Sequence, residues 1–295
     1  MRISAALVLL PLAAALLRGQ SQSPPSEAIR LIVMADDMGV ARGVNDGTIA
    51  AYRWGIVRTT NVIVPGPWLL DAVDQLRENP GLDVGVHLTL TSEWELLKWR
   101  PLTPAASLVD ENGYFFPMTS PNPNFPARSS LREAPVVLAE AERELRAQIE
   151  MARRLLPRVS YLTPHMGAAT STPELRQLTA KLADQYGLPL FSAIPGGAKP
   201  LGALWRQTDS GVEKAEALAA RLREIGPGTW WHLDHAALDT DETRAIGHRG
   251  YRGVAADRAA NVAAWTSKPV KDVVRARSIR LMSWGDLIRE QQRLK

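Results

Sequence analysis

Short hydrophobic runs rich in β-branched residues alternate along the chain with longer segments of helical periodicity. Seven of these runs predict β-strands. They lie at Arg30–Ala35, Thr59–Val64, Val84–Leu90, Arg158–Thr163, Leu188–Ala193, Thr229–Leu233 and Ile279–Ser283. Such alternation is typical of a parallel α/β sheet. The pattern alone fits both a closed or nearly closed barrel and an open doubly wound sheet.

Two segments carry clear helix signals. Thr172-Pro173-Glu174 supplies an N-cap, a proline at the first helical position and an acid in the first turn, and Gly187 predicts where that helix ends. A second helix is predicted over Glu133–Leu156, where alanine, glutamate, leucine and arginine dominate.

The first 20 residues have a different pattern from the rest. Arg2 precedes the apolar stretch Ile3–Leu17, which is too short to span a bilayer comfortably, and a polar segment follows. We predict an approximate signal peptide over residues 1–20 and an exported protein, periplasmic or secreted, with one domain over residues 28–295. Because Arg18-Gly19-Gln20 is not an Ala-x-Ala cleavage sequence, an uncleaved N-terminal anchor is the alternative.

Composition and charge narrow the function classes. The 295 residues are 45% hydrophobic and no linker or repeat divides them, so a large core is expected. Without Arg2 and Arg18 the formal net charge falls from +4 to +2, and no cluster of Lys or Arg suggests nucleic acid. The absence of cysteine excludes disulfides and a lipoprotein anchor. We expect no stable membrane contact after signal removal, and the oligomeric state stays open.

Polar groups suited to chemistry follow several predicted strands. Asp36 and Asp37 stand at the end of the first strand, His87 lies in the third, and His165 follows the fourth. The carboxyl ends of parallel strands share one rim, so these side chains should converge there. Asp37, His87 and His165 would supply the two imidazoles and one carboxylate of a catalytic divalent metal site, and Asp36 would be free to act as a base.

Simpler interpretations exist for the same residues. A single histidine in an apolar strand is often a hydrogen-bonded core residue, which applies to His87. An Asp-Asp pair can serve as an N-cap or a turn. Residue spacing does not decide between these alternatives, because the chain has no compact His-x-x-x-His or Cys-x-x-Cys motif.

A set of motifs in order resembles the YdjC/ChbG-type carbohydrate deacetylases. The set covers nearly the whole mature chain. It comprises Ala35-Asp36-Asp37-Met38-Gly39, Gly43-Val44-Asn45, Gly55-Ile56-Val57, Thr59-Thr60, the run from Asn79 to Thr91, Arg100-Pro101-Leu102, Ser107-Leu108-Val109-Asp110, Gly113-Tyr114-Phe115, Pro164-His165-Met166-Gly167 and Leu281-Met282-Ser283-Trp284.

The resemblance implies a fold and a reaction. The fold would be a distorted (β/α) barrel of about seven parallel strands, similar to polysaccharide deacetylases. The reaction would be hydrolysis of the amide of an N-acetylated amino sugar or oligosaccharide. Asp37, His87 and His165 would bind a divalent ion, zinc or magnesium first, with iron, cobalt and nickel also compatible. Asp36 would be the general base that activates water.

The resemblance also implies a general acid. His235, in Trp230-Trp231-His232-Leu233-Asp234-His235-Ala236, matches the family position, although alanine follows it where the family usually has proline. His232 is the competitor. Arg258 resembles a family arginine without a defined role, and His248 is predicted to lie in a surface loop. Thr163-Pro164 replaces the family's usual Asp-Ser, which puts a hydrogen bond to His165 in question.

The expected partner is a small acetylated sugar. Aromatic residues in the loop from Glu93 to Pro126 are expected either to stack on sugar rings or to pack the loop onto the barrel. Two alternative functions are a metal hydrolase of another amide or ester, and a non-catalytic sugar-binding protein on the same fold.

Overall fold

The structure, a computed structural model, describes residues 28–156, 158–193 and 197–293. The predicted signal peptide at residues 1–20 lies outside them. Strands and helices alternate in the described chain. The strands are β1 Ile29–Met38, β2 Thr59–Val62, β3 Asp83–Leu88, β4 Leu162–Pro164, β5 Lys199–Pro200, β6 Gly228–His235 and β7 Arg280–Leu281. The helices are α1 Arg42–Trp54, α2 Leu69–Glu78, α3 Leu138–Leu155, α4 Pro173–Tyr186, α5 Gly211–Glu224, α6 Asp241–Arg244, α7 Val254–Thr266, α8 Lys268–Ala276 and α9 Trp284–Gln292.

One parallel sheet organises these elements. Its strands run in the order β4-β3-β2-β1-β6-β5. The short strand β7 pairs with the first residues of β1, on the same edge where β2 pairs with its later residues. The sheet curls into a half-barrel. The predicted parallel α/β sheet and distorted barrel are therefore confirmed. Every described residue from Leu31 to Met38 is buried, as expected of a central strand covered on both faces.

One predicted strand is wrong. Leu188–Ala193 makes only an isolated bridge, between Leu190 and Leu162, and then forms a 3₁₀ turn at Phe191–Ala193. Pro189 has no backbone N–H and only accepts a hydrogen bond, from Leu162, so the segment cannot continue a regular ladder. The two-residue strand β5 was not predicted, because a pair of residues that includes Pro200 carries no strand signal.

The predicted helix at Thr172 is confirmed in detail. Thr172 caps it by accepting a hydrogen bond from the Leu175 N–H at 3.2 Å, and Gly187 ends it in the left-handed conformation. The helix predicted from Glu133 instead begins at Leu138. Ala134 precedes a proline and is extended, which prevents the helix from starting earlier.

Two buried side chains of α3 anchor the long loop after β3. Gln148 accepts a hydrogen bond from the Thr89 N–H at 2.9 Å and donates one to the Thr89 carbonyl at 2.8 Å, which ends pairing along β3. Glu144 accepts from the backbone N–H groups of Leu102 and Thr103. The loop aromatics Trp94, Trp99 and Phe115 are buried, so these rings pack the loop onto the barrel.

Every described helix is too short or too polar to span a bilayer.

Candidate metal centre and active site

A bulge at the end of β1 places two adjacent carboxylates in one site. Ala35 pairs with Thr60 and Met38 with Val62, so Asp36 and Asp37 together lie opposite a single residue of β2. Adjacent side chains of a regular strand point to opposite faces. In the bulge, both carboxylates instead approach His87 Nε2, with Asp36 Oδ2 at 3.7 Å and Asp37 Oδ1 at 3.4 Å.

Asn61 of β2 holds the bulge in place. Its Oδ1 accepts a hydrogen bond from the Asp37 N–H at 3.1 Å, and its Nδ2 donates to Asp36 Oδ1 at 2.8 Å. Asp37 has a φ of 75°, a backbone angle that residues other than glycine rarely adopt. The Asn61 contacts therefore hold both aspartates in one arrangement.

The structure brings together the three residues predicted to bind a metal. His87 comes from β3 and His165 follows β4, and both are buried. Asp37 Oδ1 lies 3.4 Å from His87 Nε2 and 3.5 Å from His165 Nδ1. One oxygen and one nitrogen from each histidine thus surround a common point.

These three residues fit a divalent cation. Asp37 Oδ1 is buried and has no hydrogen-bond partner in the described chain. A buried carboxylate oxygen needs a donor or a cation. Ligands held about 2.0–2.1 Å from a tetrahedral ion lie about 3.3 Å from each other, close to the separations found here. Two imidazoles and a carboxylate suit zinc and other divalent ions.

Two cationic side chains face the other oxygen of Asp37. Arg258 donates from Nη2 to Asp37 Oδ2 at 3.1 Å, and His235 Nε2 lies 3.5 Å from the same atom. Oδ1 is left to face His87 and His165. Burial alone would raise the pKa of Asp37, but the three imidazoles and the guanidinium hold it well below its usual value.

The second carboxylate is affected in the opposite direction. Burial raises the pKa of Asp36, and the nearby imidazoles His87 and His235 only partly offset it. The two neighbours therefore differ electrostatically, with Asp37 held as an anion and Asp36 closer to accepting a proton.

His235 lies where the site opens to a cavity. Its side chain is 34% exposed, and its Nδ1 lies 3.4 Å from Asp234 Oδ1. Burial and Arg258 lower the pKa of His235, but Asp37, Asp234 and Asp36 outweigh them and raise it to about 9. Its backbone is also fixed, because Asn261 donates to the His235 carbonyl at 2.9 Å while the buried Lys214 holds Asn261 Oδ1 at 2.8 Å.

The cavity above the site has a volume of about 730 Å³. The charged side of the cavity lies next to Asp37 and His165 and is formed by Glu93, His235 and Arg258. Aromatic surface is contributed by Trp205, Trp231 and Tyr251. His232 also lines the cavity, and it packs edge-on against Trp205 with ring centroids 4.9 Å apart. Burial lowers the pKa of His232 to about 4.

His248 was predicted to lie in a surface loop, and the structure places it in a loop beside the exposed Arg249 and Gly250 but not free in solvent. The residue is half-buried and lines the cavity. It stacks on Trp94 with ring centroids 6.0 Å apart and contacts Phe125 at 5.2 Å. Its polar sequence surroundings gave no sign of this packing, which depends on the buried loop after β3.

Three residues of the site had no predicted role or a different one. Asn61 is one of them. Thr163 was expected to affect His165, but its Oγ1 lies 2.6 Å from His87 Nδ1 and accepts a hydrogen bond from Asn61 at 3.0 Å. Glu93 lies just beyond β3 with a φ of 61°. Asp37, Glu93 and Met166 all have left-handed backbone conformations, and such strain is concentrated at functional sites.

Comparison with known proteins agrees with the resemblance noted in the sequence. The family model described as YdjC-like protein matches residues 30–276. A carbohydrate deacetylase of Thermus thermophilus is 32% identical over 238 residues, which cover 73% of this chain and 80% of the relative. A carbohydrate deacetylase of Oceanobacillus iheyensis is 36% identical over 164 residues, covering 55% of this chain and 64% of that relative.

A solved structure is similar over most of the chain. It is a protein of Enterococcus faecalis described as a candidate cellobiose-phosphate cleavage protein, with a TM-score of 0.69 and 25% identity. The similarity covers 88% of this chain and 99% of the other. This chain is therefore a member of the YdjC-like family and a relative of enzymes named carbohydrate deacetylases.

Proposed function

We propose that the protein is a metal-dependent hydrolase that removes the acetyl group from an N-acetylated amino sugar or short oligosaccharide. One observation carries this proposal. The buried Asp37 Oδ1 has no hydrogen-bond partner in the described chain and faces His87 and His165, as a metal ligand would. The family of the chain supports a carbohydrate as the substrate.

Four residues would prepare the reaction. Asp37, His87 and His165 would hold the divalent ion. When bound, that ion supplies Lewis acidity, which lowers the pKa of water and polarises an acetyl carbonyl. Asp36 would accept the proton that the attacking water loses, at the oxygen Oδ2 that faces His87, while Asn61 holds its other oxygen.

His235 would assist departure of the sugar amine. An amine anion is a poor leaving group, so its nitrogen must receive a proton as the C–N bond breaks. The support is that His235 lines the cavity and lies 3.5 Å from Asp37, so its ring would lie between a bound sugar and the carboxylates. Asp234 would orient the imidazole through Nδ1. His232 is a weaker candidate, because it packs among tryptophans.

Acetate release from a panel of N-acetylated and O-acetylated sugars tests the proposal. Asp36→Asn is expected to reduce kcat by about 10²–10⁴-fold without loss of metal, since only the base is removed. His87→Ala is expected to lose the metal. The fully exposed Asp241 provides a matched control, and Asp241→Asn should leave the rate unchanged.

Each alternative has a distinct outcome. Normal rates for Asp36→Asn would exclude Asp36 as the base, and full metal binding by His87→Ala would exclude the ligand set. Protein that binds no divalent ion and is not activated by any would favour a sugar-binding protein. Release of acetate from O-acetylated sugars alone would favour an esterase.

We also propose that the enzyme is exported. The support is the signal-like pattern of residues 1–20. Cell fractionation of the natural host with an antibody to the protein would test this location, and a wholly cytosolic signal would contradict it.

A further inference from the structure

The two candidate histidine ligands differ in the nitrogen that each presents to Asp37. His87 presents Nε2 and its other nitrogen, Nδ1, lies 2.6 Å from Thr163 Oγ1. His165 presents Nδ1, and its Nε2 points away. That Nε2 is buried and has no hydrogen-bond partner in the described chain.

The orientation of His165 determines where its proton must be. A metal-binding imidazole is neutral and coordinates through its unprotonated nitrogen. Coordination through Nδ1 therefore leaves the hydrogen on Nε2. A buried N–H without an acceptor is unfavourable, so this nitrogen requires a partner. The carboxylate oxygen Glu93 Oε2 lies 3.8 Å away.

We propose that Glu93 is a positioning residue that accepts a hydrogen bond from His165 Nε2 and so directs Nδ1 toward the metal. The inference rests on the metal site proposed above. Ligating histidines commonly donate their second N–H to a carboxylate or another oxygen, which fixes the tautomer and the ring orientation. Thr163 Oγ1 would serve His87 in the corresponding way.

The local backbone supports this role for Glu93. Its φ of 61° is a backbone angle that residues other than glycine rarely adopt. Hydrogen bonds on both sides of Glu93 hold this part of the loop in place. The Ser92 N–H donates to the Phe116 carbonyl at 2.9 Å and the Glu95 N–H donates to the Gly247 carbonyl at 3.2 Å. The Glu93 side chain is only 15% exposed. Its carboxylate is therefore fixed beside His165 instead of extending into solvent.

Zinc affinity of the full chain tests the proposal without any measurement of activity. The dissociation constant would be measured by competition with a chromophoric chelator. Glu93→Leu keeps a side chain of similar size and removes both acceptor oxygens, and we expect zinc to bind about 10–100-fold more weakly. Glu95→Leu is the matched control, because Glu95 belongs to the same loop but contacts Arg252 at 3.2 Å. The zinc affinity of this variant should equal that of the wild type.

Several outcomes would overturn the proposal. Wild-type affinity in Glu93→Leu would exclude a positioning role. Complete loss of binding, as severe as in His165→Ala, would instead make Glu93 a direct ligand. If the wild type itself bound no zinc, the proposed metal site would fail as well. Equal zinc affinity in the wild type and Glu93→Leu would refute the role of Glu93 and leave the proposed metal site intact.

A second measurement needs no variant. Long-range ¹H–¹⁵N NMR of the zinc-loaded full chain distinguishes the two nitrogens of each imidazole. We expect His165 to coordinate through Nδ1 with its hydrogen on Nε2, and His87 to coordinate through Nε2. Coordination of zinc through His165 Nε2 would overturn the proposal even if Glu93→Leu failed to fold.

Discussion

His232 and His235 lie three residues apart on β6, yet their pKa values change in opposite directions. Burial among Trp205 and Trp265 lowers the pKa of His232 to about 4. Carboxylates of Asp37 and Asp234 outweigh burial at His235 and raise its pKa to about 9. The local environment therefore distinguishes two histidines that the sequence presents as competitors for one role.

The buried His232 should make stability depend on pH. Its pKa is about 4 when folded and about 6.5 when unfolded, so its contribution is complete above pH 6.5 and is lost as pH falls toward 4. Between pH 7 and pH 5 this group alone should reduce the free energy of unfolding by about 2 kcal/mol. Urea unfolding measures this effect. Between pH 7 and pH 5, the free energy of unfolding of His232→Gln should fall by about 2 kcal/mol less than that of the wild type.

His248→Gln provides the comparison. His248 is only half-buried, so its removal should change the pH dependence less. Identical pH dependence in the wild type and His232→Gln would contradict the assigned burial of a neutral imidazole.

At the residue scale, the sequence was sufficient to predict which side chains meet at the ends of strands. It was insufficient to predict contacts that depend on the direction of a side chain. The proximity of Asp37, His87 and His165 follows from the convergence of parallel strand ends. The contact of Thr163 with His87 instead of His165 depends on which way each ring points. The position of Glu93 depends on a left-handed residue in a long loop. Neither feature produces a periodic signal.

At the element scale, the bulge in β1 determines whether the site can form. In a regular strand without the bulge, Asp36 and Asp37 would point to opposite faces of the sheet and only one could reach His87. Periodicity predicted the strand but could not predict the bulge, because both aspartates stand at the end of an uninterrupted apolar run. Pro189 likewise removed a strand by eliminating one N–H, which a propensity-based interpretation underestimates.

Asn61→Ala should weaken the bulge. The substitution leaves the Asp37 N–H and Asp36 Oδ1 without their hydrogen-bond partner inside a buried site. We expect the free energy of unfolding to fall by about 2–3 kcal/mol, with a lower kcat because Asp36 is no longer held. Urea unfolding and acetate release measure the two effects. Asn112→Ala, at an exposed position, should stay within about 0.5 kcal/mol of the wild type, and an equal effect of both would contradict the role of Asn61.

At the scale of the whole molecule, the charges around the cavity lead to a prediction about the sugars that it accepts. Among the described residues that line it, Arg258 is the one lysine or arginine. Its Nη2 is bound to Asp37, and its Nε and Nη1 are buried. The other cationic group of the lining, His235, faces Asp37 and Asp234. Recognition of a phosphate usually depends on an accessible arginine or lysine. Glu93 and Asp234 add negative charge to the lining. We therefore expect the cavity to prefer unphosphorylated sugars.

This charge distribution predicts a substrate preference. An N-acetylated disaccharide should be deacetylated with a higher kcat/KM than the same disaccharide phosphorylated on a primary hydroxyl, because the cationic side chains that line the cavity, Arg258 and His235, already face carboxylates. Gln207 lies exposed at the cavity and offers a site for adding a cation. Gln207→Lys should narrow the difference by about threefold, since an exposed ion pair contributes about 0.2–1 kcal/mol, and added salt should reverse the gain. Gln207→Leu should leave the ratio unchanged. A wild-type preference for the phosphorylated sugar in acetate-release assays would contradict this prediction.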